Sequence, residues 1–290
     1  MKLAVKFNLF LIPLLLLGFV IAGFILHTVL QRNARHEIQD RAAIMMEAAL
    51  AMRSYTVKEV RPLLEVQNRR NFLPQTVSAY AATQLFNTIR EQHPEYTYKE
   101  ATLNPTNPRD RAVDWESDII QQFINDEKQT FLVGEREGGT GRSLYFAKPL
   151  RIKDPNCLKC HSTPDVAPET MIKQYGTANG FGWKLNEVVG AQIVSIPMDI
   201  PITRANQAFM TFMGILAGIF AFIVLLLNTL LHSLVSRPVN QITALADRIS
   251  KGEEGLPEFQ TGGAQEISAL GESFNRMKRS LEKAMVMLGG

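Results

Sequence analysis

Two stretches without charge limit what this chain can fold into. Phe7 to Leu30 reads "FNLFLIPLLLLGFVIAGFILHTVL" and Ala208 to Leu231 reads "AFMTFMGILAGIFAFIVLLLNTLL"; neither contains Asp, Glu, Lys or Arg, and His27 is the one titratable side chain in them. A helix needs about 20 apolar residues to cross a bilayer, and a core helix of a soluble protein rarely stays uncharged on every face for so long. Both blocks are therefore expected to be transmembrane helices, 7–30 and 208–231. Lys2 and Lys6 give the first the look of a signal peptide, but its apolar core is too long and no small-x-small site closes it. It reads as an uncleaved anchor. Residues 1–6 and everything from His232 onward then share one side of the membrane, and residues 31–205 occupy the other.

Loop charge alone does not orient this hairpin. Lys2 and Lys6 are balanced by Arg32, Arg35 and Arg41, while Arg237, Arg248 and Lys251 favour a cytoplasmic tail. The formal net charge is +3, with no basic run interleaved with aromatics, which excludes a nucleic-acid partner.

Between the spans the hydrophobic period changes along the chain. From Asn33 to about Val66 it is helical, with Ile38, Met45 and Met52 at heptad spacing beside Ala42 and Ala49, until Pro62 perturbs it. A second helix is expected over "TVSAYAATQLFNTIREQ" with Thr76 as its cap, and a third over "VDWESDIIQQFIND". Two Asn-Pro steps make "LNPTNPRDRAVD" a loop. From Gln129 the period is two: "QTFLVGERE" and "SLYFAKPLRI" flank the turn "GGTG", and "NEVVGAQIVSIPMDI" forms a closing strand after a short helix "ETMIKQYG". Helices followed by strands predict an α+β domain with an antiparallel sheet and a long N-terminal helix.

After the second span, "SRPVNQITALADRISKGE" carries Ile242, Leu245 and Ile249 on one stripe. The connector "GEEGLPEFQTGGA" is glycine-rich, and "QEISALGESFNRMKRSLEKAM" places Ile267, Leu270, Phe274, Met277 and Leu281 at steps of three and four. Two short heptad helices joined this way make a parallel coiled-coil module that a dimer satisfies. With Pro238 after the membrane exit, Glu266 opening the second helix and "FNRM" within it, residues 232–286 resemble a HAMP domain. That resemblance implies a cytoplasmic module that carries conformational signals from a membrane helix to an output.

The chemistry concentrates in "DPNCLKCHSTPD", which holds both cysteines of the chain, Cys157 and Cys160, with His161 directly after. A structural zinc needs four ligands, and His27, His36, His93 and His232 are too scattered to complete one. A redox dithiol usually sits where a strand enters a helix, whereas this motif lies between Pro155 and Pro164. A disulfide this short would constrain little. Cys-x-x-Cys-His is the attachment pattern of a c-type haem: two thioethers reach the vinyl positions on one edge and deliver the histidine beneath the iron. This reading is favoured over the dithiol. Attachment of haem c outside the bacterial cytoplasm would make 31–205 periplasmic.

The segments "EATLNPTNPRDRAVDWE", "KCHSTPDVAPETMIKQYG" and "NGFGWKLNEVVGAQIVSIPM" together resemble the Tll0287-like c-haem PAS-like domains of bacterial membrane sensors. The resemblance covers nearly all of residues 33–200. It implies a PAS-like antiparallel sheet holding one covalent haem c, with any distal ligand supplied by the long N-terminal helix. That helix offers Met52 first, then Met45, with Met46 beside them and no cysteine. An open or water-bound iron is the alternative, because methionine at helical spacing is more often packing. Met171 and Met198 read as core, and His36 and His93 as remote. Tyr55 and Arg53 are candidates for the distal pocket or a propionate, and Asn104, Arg109, Trp115 and Trp183 lie in the resembling segments. Relatives pass into chemotaxis, kinase or cyclase outputs, whereas this sequence stops at Gly290, so a separate cytoplasmic partner is expected.

The expectation is a homodimeric, inner-membrane haem sensor of redox state or a small gas (NO or CO), without enzymatic activity. The rivals are a membrane-tethered monohaem cytochrome serving a periplasmic electron donor, and a thiol oxidoreductase.

Overall fold

The computed structural model describes residues 3–138, 141–253, 255–260 and 262–288. The chain forms two compact units, Val29–Gln207 and Met1–Thr28 with Ala208–Gly290.

In the first unit the apolar helix α1 (Leu3–Tyr55) supplies its C-terminal half. A π-helical turn, Thr56–Val60, follows, and α2 (Arg61–Arg70) carries Pro62 in its first turn. Proline is tolerated there because its missing N–H has no helical partner to lose, so the perturbation falls on the preceding turn and the helix runs on past Val66. A 3-10 turn, Pro74–Thr76, leads to α3 (Ser78–Gln92). Thr76 does not cap α3: its hydroxyl donates to the Leu73 carbonyl at 2.8 Å, and the N-cap position is Val77.

The sheet contains β1 (Thr97–Thr102), β2 (Leu132–Gly138), β3 (Gly141–Arg151) and β4 (Val188–Pro197), all antiparallel, in the order β1-β4-β3-β2. The expected hairpin is β2–β3; Gly139 and Thr140 of its turn lie outside the described residues. The expected closing strand is β4, which occupies a central position. Strand β1 was hidden in the sequence, because "TYKEAT" mixes a buried face with Lys99 and Glu100 and lacks Val or Ile.

Alternation along the strands builds two cores. Tyr98, Leu144, Val194 and Ile196 pack on Ile38, Ala42, Met46 and Ala49 of α1 and on Ala82 and Phe86 of α3. On the opposite face Ala101, Ala147, Ala191 and Ile193 meet Ile119, Ile120 and Phe123 of α4 (Asp114–Asn125). Glu116 ties α4 down by accepting the Val113 N–H at 2.9 Å and the Lys99 ammonium at 2.7 Å. The α+β expectation, with an antiparallel sheet and a long N-terminal helix, holds. The stripe that α1 buries differs from the expected heptad: Met46 is fully buried, while Met45 and Met52 are only half-buried.

In the second unit α7 (Asp199–Leu231) and the start of α1 are long and apolar enough to cross a membrane. A π-helical turn, His232–Ser236, joins α7 to α8 (Arg237–Ser250), and α9 (Gln265–Leu288) follows the connector. Ile249 and Gly252, at the end of α8, share a groove with Met277 and Leu281 late in α9, so α8 and α9 run in the same direction. Ile242, Phe259 and Phe274 form their core. The Asn275 side chain holds the connector, donating to the Phe259 carbonyl and accepting its N–H, both at 2.9 Å. Glu254 and Thr261 of the connector lie outside the described residues.

Candidate functional site

Asp154 and Pro155 fix the local fold of the cysteine motif. The Asp154 side chain accepts the Asn156 N–H at 2.9 Å and caps a 3-10 turn, Pro155–Cys157, with proline at its first position. The turn runs into α5 (Leu158–His161) and is followed after a bend by α6 (Glu169–Tyr175). Cys157, Cys160 and His161 therefore sit on one helical turn rather than in an open loop. Both thiols are free and half-exposed. Burial pushes both thiols up, Asp154 adding to the rise at Cys157; Arg53 and Arg61 oppose it at Cys157, and Arg61 with Lys159 at Cys160. Arg53 on α1 and Arg61 on α2 are thus near enough for their charges to act on the cysteines.

His161 is held from several sides. Its Nδ1 lies 2.8 Å from the Gly180 carbonyl and 3.4 Å from the Thr106 hydroxyl. Its ring stacks on Trp183, centroids 3.9 Å apart and planes at 13°. A carbonyl only accepts, so Nδ1 carries the proton and Nε2 keeps a free lone pair. Burial lowers the imidazole pKa, partly countered by the Gly180 bond, which keeps the ring neutral near pH 7.

The loop that supplies Gly180 and Trp183 is strapped to the motif. The Gly182 N–H donates to the Ser162 carbonyl at 2.8 Å and the Trp183 N–H to the His161 carbonyl at 3.2 Å. Asn104 brackets the same loop, accepting the Gly180 N–H at 3.1 Å and donating to the Phe181 carbonyl at 3.3 Å. Gly180 has φ 86°, and a Cβ there would stand 2.0 Å from the Thr106 hydroxyl oxygen. No side chain fits. The three sequence segments that carried the resemblance meet here, at His161.

Beside the motif lies a buried polar cluster. Arg53 on α1 is ion-paired with Glu100 on β1; the Tyr98 phenol donates to Glu100 at 2.7 Å, and Gln192 on β4 donates to the phenol at 3.3 Å. Burial is the largest single influence and opposes the Arg53 charge, but Glu100, Tyr98 and Cys157 together outweigh it and raise the guanidinium pKa. Nothing in the sequence singled out Glu100, Gln192, Thr106 or Gly180; the glycine-rich run "NGFGW" was the one available signal, since an αL glycine often marks close backbone approach.

Residues 31–197, more than half of the chain, match the family model for Tll0287-like domains, described as Tll0287. The chain belongs to the Tll0287-like family. Residues 230–283 match the HAMP domain model. No curated protein matches. A crystal structure of the cyanobacterial heme-protein Tll0287 resembles the chain at 15% identity and a TM-score of 0.44, covering 56% of this chain and 95% of that one.

Within the Tll0287-like domain the expected site residues separate. Asn104 and Trp183 join His161, whereas Trp115 lies against Tyr145 with Arg136 over its ring, and Arg109 lies over Tyr80. Arg53 turns to Glu100 and Tyr55 is exposed. Met171 and Met198 are buried in the domain, and His36 and His93 sit on its exposed surface. Met45 packs against the α1 core, and the Met52 carbonyl accepts the Thr56 hydroxyl at 2.8 Å. Among the described residues no three His, Cys, Asp or Glu side chains gather as a metal site would require, so the thiols and imidazole of the motif do not converge on one point. Two thiols and a free imidazole nitrogen on one helical turn are the donor set that a c-type haem would use.

Proposed function

We propose that the chain is a membrane-anchored sensor whose Tll0287-like domain holds one covalent haem c. The observation that carries the proposal is His161: neutral, its Nδ1–H committed to Gly180, its Nε2 free to bind a metal, and two thiols on the same turn. Cys157 and Cys160 would each add S–H across a vinyl group, a step that needs no oxidant or reductant. Bound there, haem supplies a one-electron couple and an iron position that a small gas such as NO or CO can take. The raised thiol pKa values argue against a dithiol oxidoreductase, which needs an accessible thiolate.

Met52 is the favoured distal ligand and Met45 the second. Met52 adjoins Arg53, whose charge acts on Cys157, while Met45 packs into the core cluster. The first and last elements of the domain bracket the path out: α1 and α7 each continue into a helix apolar enough to cross a membrane. Movement of either would reach the HAMP helices as a change in packing. Leu270, Met277 and Leu281 of the α9 stripe are exposed, as residues awaiting a second copy in a parallel homodimer would be. The reading places 31–205 in the periplasm and HAMP in the cytoplasm facing a separate output protein, with signalling rather than catalysis as the task.

The test is the absorption spectrum of the detergent-purified chain, ferric and ferrous, with and without CO and NO. Haem bands that survive denaturation and vanish in Cys157→Ser/Cys160→Ser support covalent attachment. Their absence, from a host with a working attachment system, overturns it. A ferrous spectrum that ignores both gases selects a six-coordinate redox sensor or a tethered electron carrier; one that shifts selects a gas receptor.

A further inference from the structure

The Gly180 bond selects the Nδ1–H tautomer of His161 only while the ring is held in the plane of that carbonyl. Nδ1 is within reach of two partners, the Gly180 carbonyl at 2.8 Å, which only accepts, and the Thr106 hydroxyl at 3.4 Å, which can accept or donate. Donation to the carbonyl leaves Nε2 as the lone-pair nitrogen. Acceptance from the hydroxyl would put the proton on Nε2 and block it as a ligand. Rotation of the ring by a few tens of degrees about Cβ–Cγ would weaken the first bond. The ring is prevented from rotating by its face, which lies flat on Trp183 at 13° and 3.9 Å. Trp183 is itself anchored to the residue it orients, because its N–H donates to the His161 carbonyl.

We propose that Trp183 is a positioning residue for His161: its indole face holds the imidazole in the plane where Nδ1–H meets the Gly180 carbonyl and Nε2 is presented as the ligand atom. The assignment deepens the haem reading and rests on it for its redox consequence, but not for the tautomer. A ligand imidazole whose second nitrogen donates a well-aligned hydrogen bond is a stronger base toward a metal, so loss of the alignment raises the reduction potential.

Two readouts on the full-length chain separate this inference from the proposal beneath it. In haem-free chain from a host lacking the attachment system, with 15N-labelled histidine, long-range 1H–15N correlation at a fixed pH reports the His161 tautomer. Wild type and Trp183→Phe, which keeps a flat ring, are expected to show Nδ1–H. Trp183→Leu, which keeps apolar volume without a face, is expected to shift the ratio about tenfold toward Nε2–H. In haem-loaded chain the same leucine variant is expected to shift the oxidised-to-reduced ratio about tenfold, about 59 mV for one electron, with Trp183→Phe near wild type. A purely structural role would lower the melting temperature of Trp183→Leu and leave both ratios unchanged. That result overturns the assignment. If wild type takes no haem the proposed function fails, and the tautomer ratio alone decides the role of Trp183.

Discussion

Glu100 is a carboxylate with 3% of its surface exposed, placed on a strand and satisfied from two sides by Arg53 and Tyr98. Replacing one partner of such a pair leaves the other charged and unpaired, which costs far more than the intact pair contributes. Arg53→Met is therefore expected to destabilise the domain by about 3–5 kcal/mol. Denaturant unfolding followed by tryptophan fluorescence measures it, since Trp115 and Trp183 both lie within residues 29–207. Tyr98 gives a pH signature. Burial first and the Glu100 charge second raise its phenol well above 10.0. The folded state keeps that proton where the unfolded chain has lost it, so this contribution is complete below pH ~10 and falls as pH rises toward the folded pKa. Tyr98→Phe keeps the ring that stacks on Phe86 and is expected to flatten the alkaline loss of stability. An unchanged slope would show that another group governs it. At this scale the cysteine motif was legible because its spacing is the chemistry. The Arg53–Glu100 pair was not: its partners are 47 residues apart and each looks like an ordinary surface charge.

At the scale of elements, legibility followed hydrophobic period. Helices α3 and α4 and strands β2, β3 and β4 carry clean periods of 3.6 or two, and each was readable. Strand β1 broke the pattern because its inward residues include Tyr98 and Glu100, polar groups that only the neighbouring strand and α1 make tolerable. The π-helical turn Thr56–Val60 was equally hidden, since only the downstream proline, Pro62, is visible in sequence, and it does not say how the preceding turn will adjust. The central strand provides the sharpest element-level prediction. Gly190 on β4 lies against β1 so closely that a Cβ would stand 2.3 Å from the Ala101 carbonyl oxygen, a backbone atom that cannot turn aside. Gly190→Ala is expected to cost about 1–3 kcal/mol by overpacking. Thermal unfolding by tryptophan fluorescence checks it; a neutral result would mean that β1 and β4 separate more easily than their register implies.

At the scale of the whole molecule, the two long apolar helices pack against each other, and side chains show that they form an antiparallel pair. Asn8 donates to Asn228 at 2.7 Å and Asn228 donates back at 3.0 Å, while His27 packs edge-on to Phe209 and Phe19 lies near Phe220. The early part of one helix thus meets the late part of the other. Reciprocal amide pairs of this kind are worth about 0.6 kcal/mol in membrane helices, enough to fix register without locking it. An antiparallel pair puts the residues before Asn8 and those after Asn228 at one end, so the HAMP helices and the short N-terminal segment face the same compartment if the pair spans a membrane. On the proposed haem c reading, the other compartment is expected to be the periplasm. The natural cysteines number only two, so Cys157→Ser/Cys160→Ser provides a blank background for single probes. Asp165→Cys on that background is expected to react with a membrane-impermeant maleimide in intact spheroplasts, and Ser250→Cys only after lysis. The reverse pattern would place the cysteine motif in the cytoplasm, where haem c is not normally attached, and would return the dithiol reading to first place. Labelling of both in intact spheroplasts would instead show that the apolar helices do not form a two-pass hairpin, and that the Asn8–Asn228 pair joins them on one surface of the membrane.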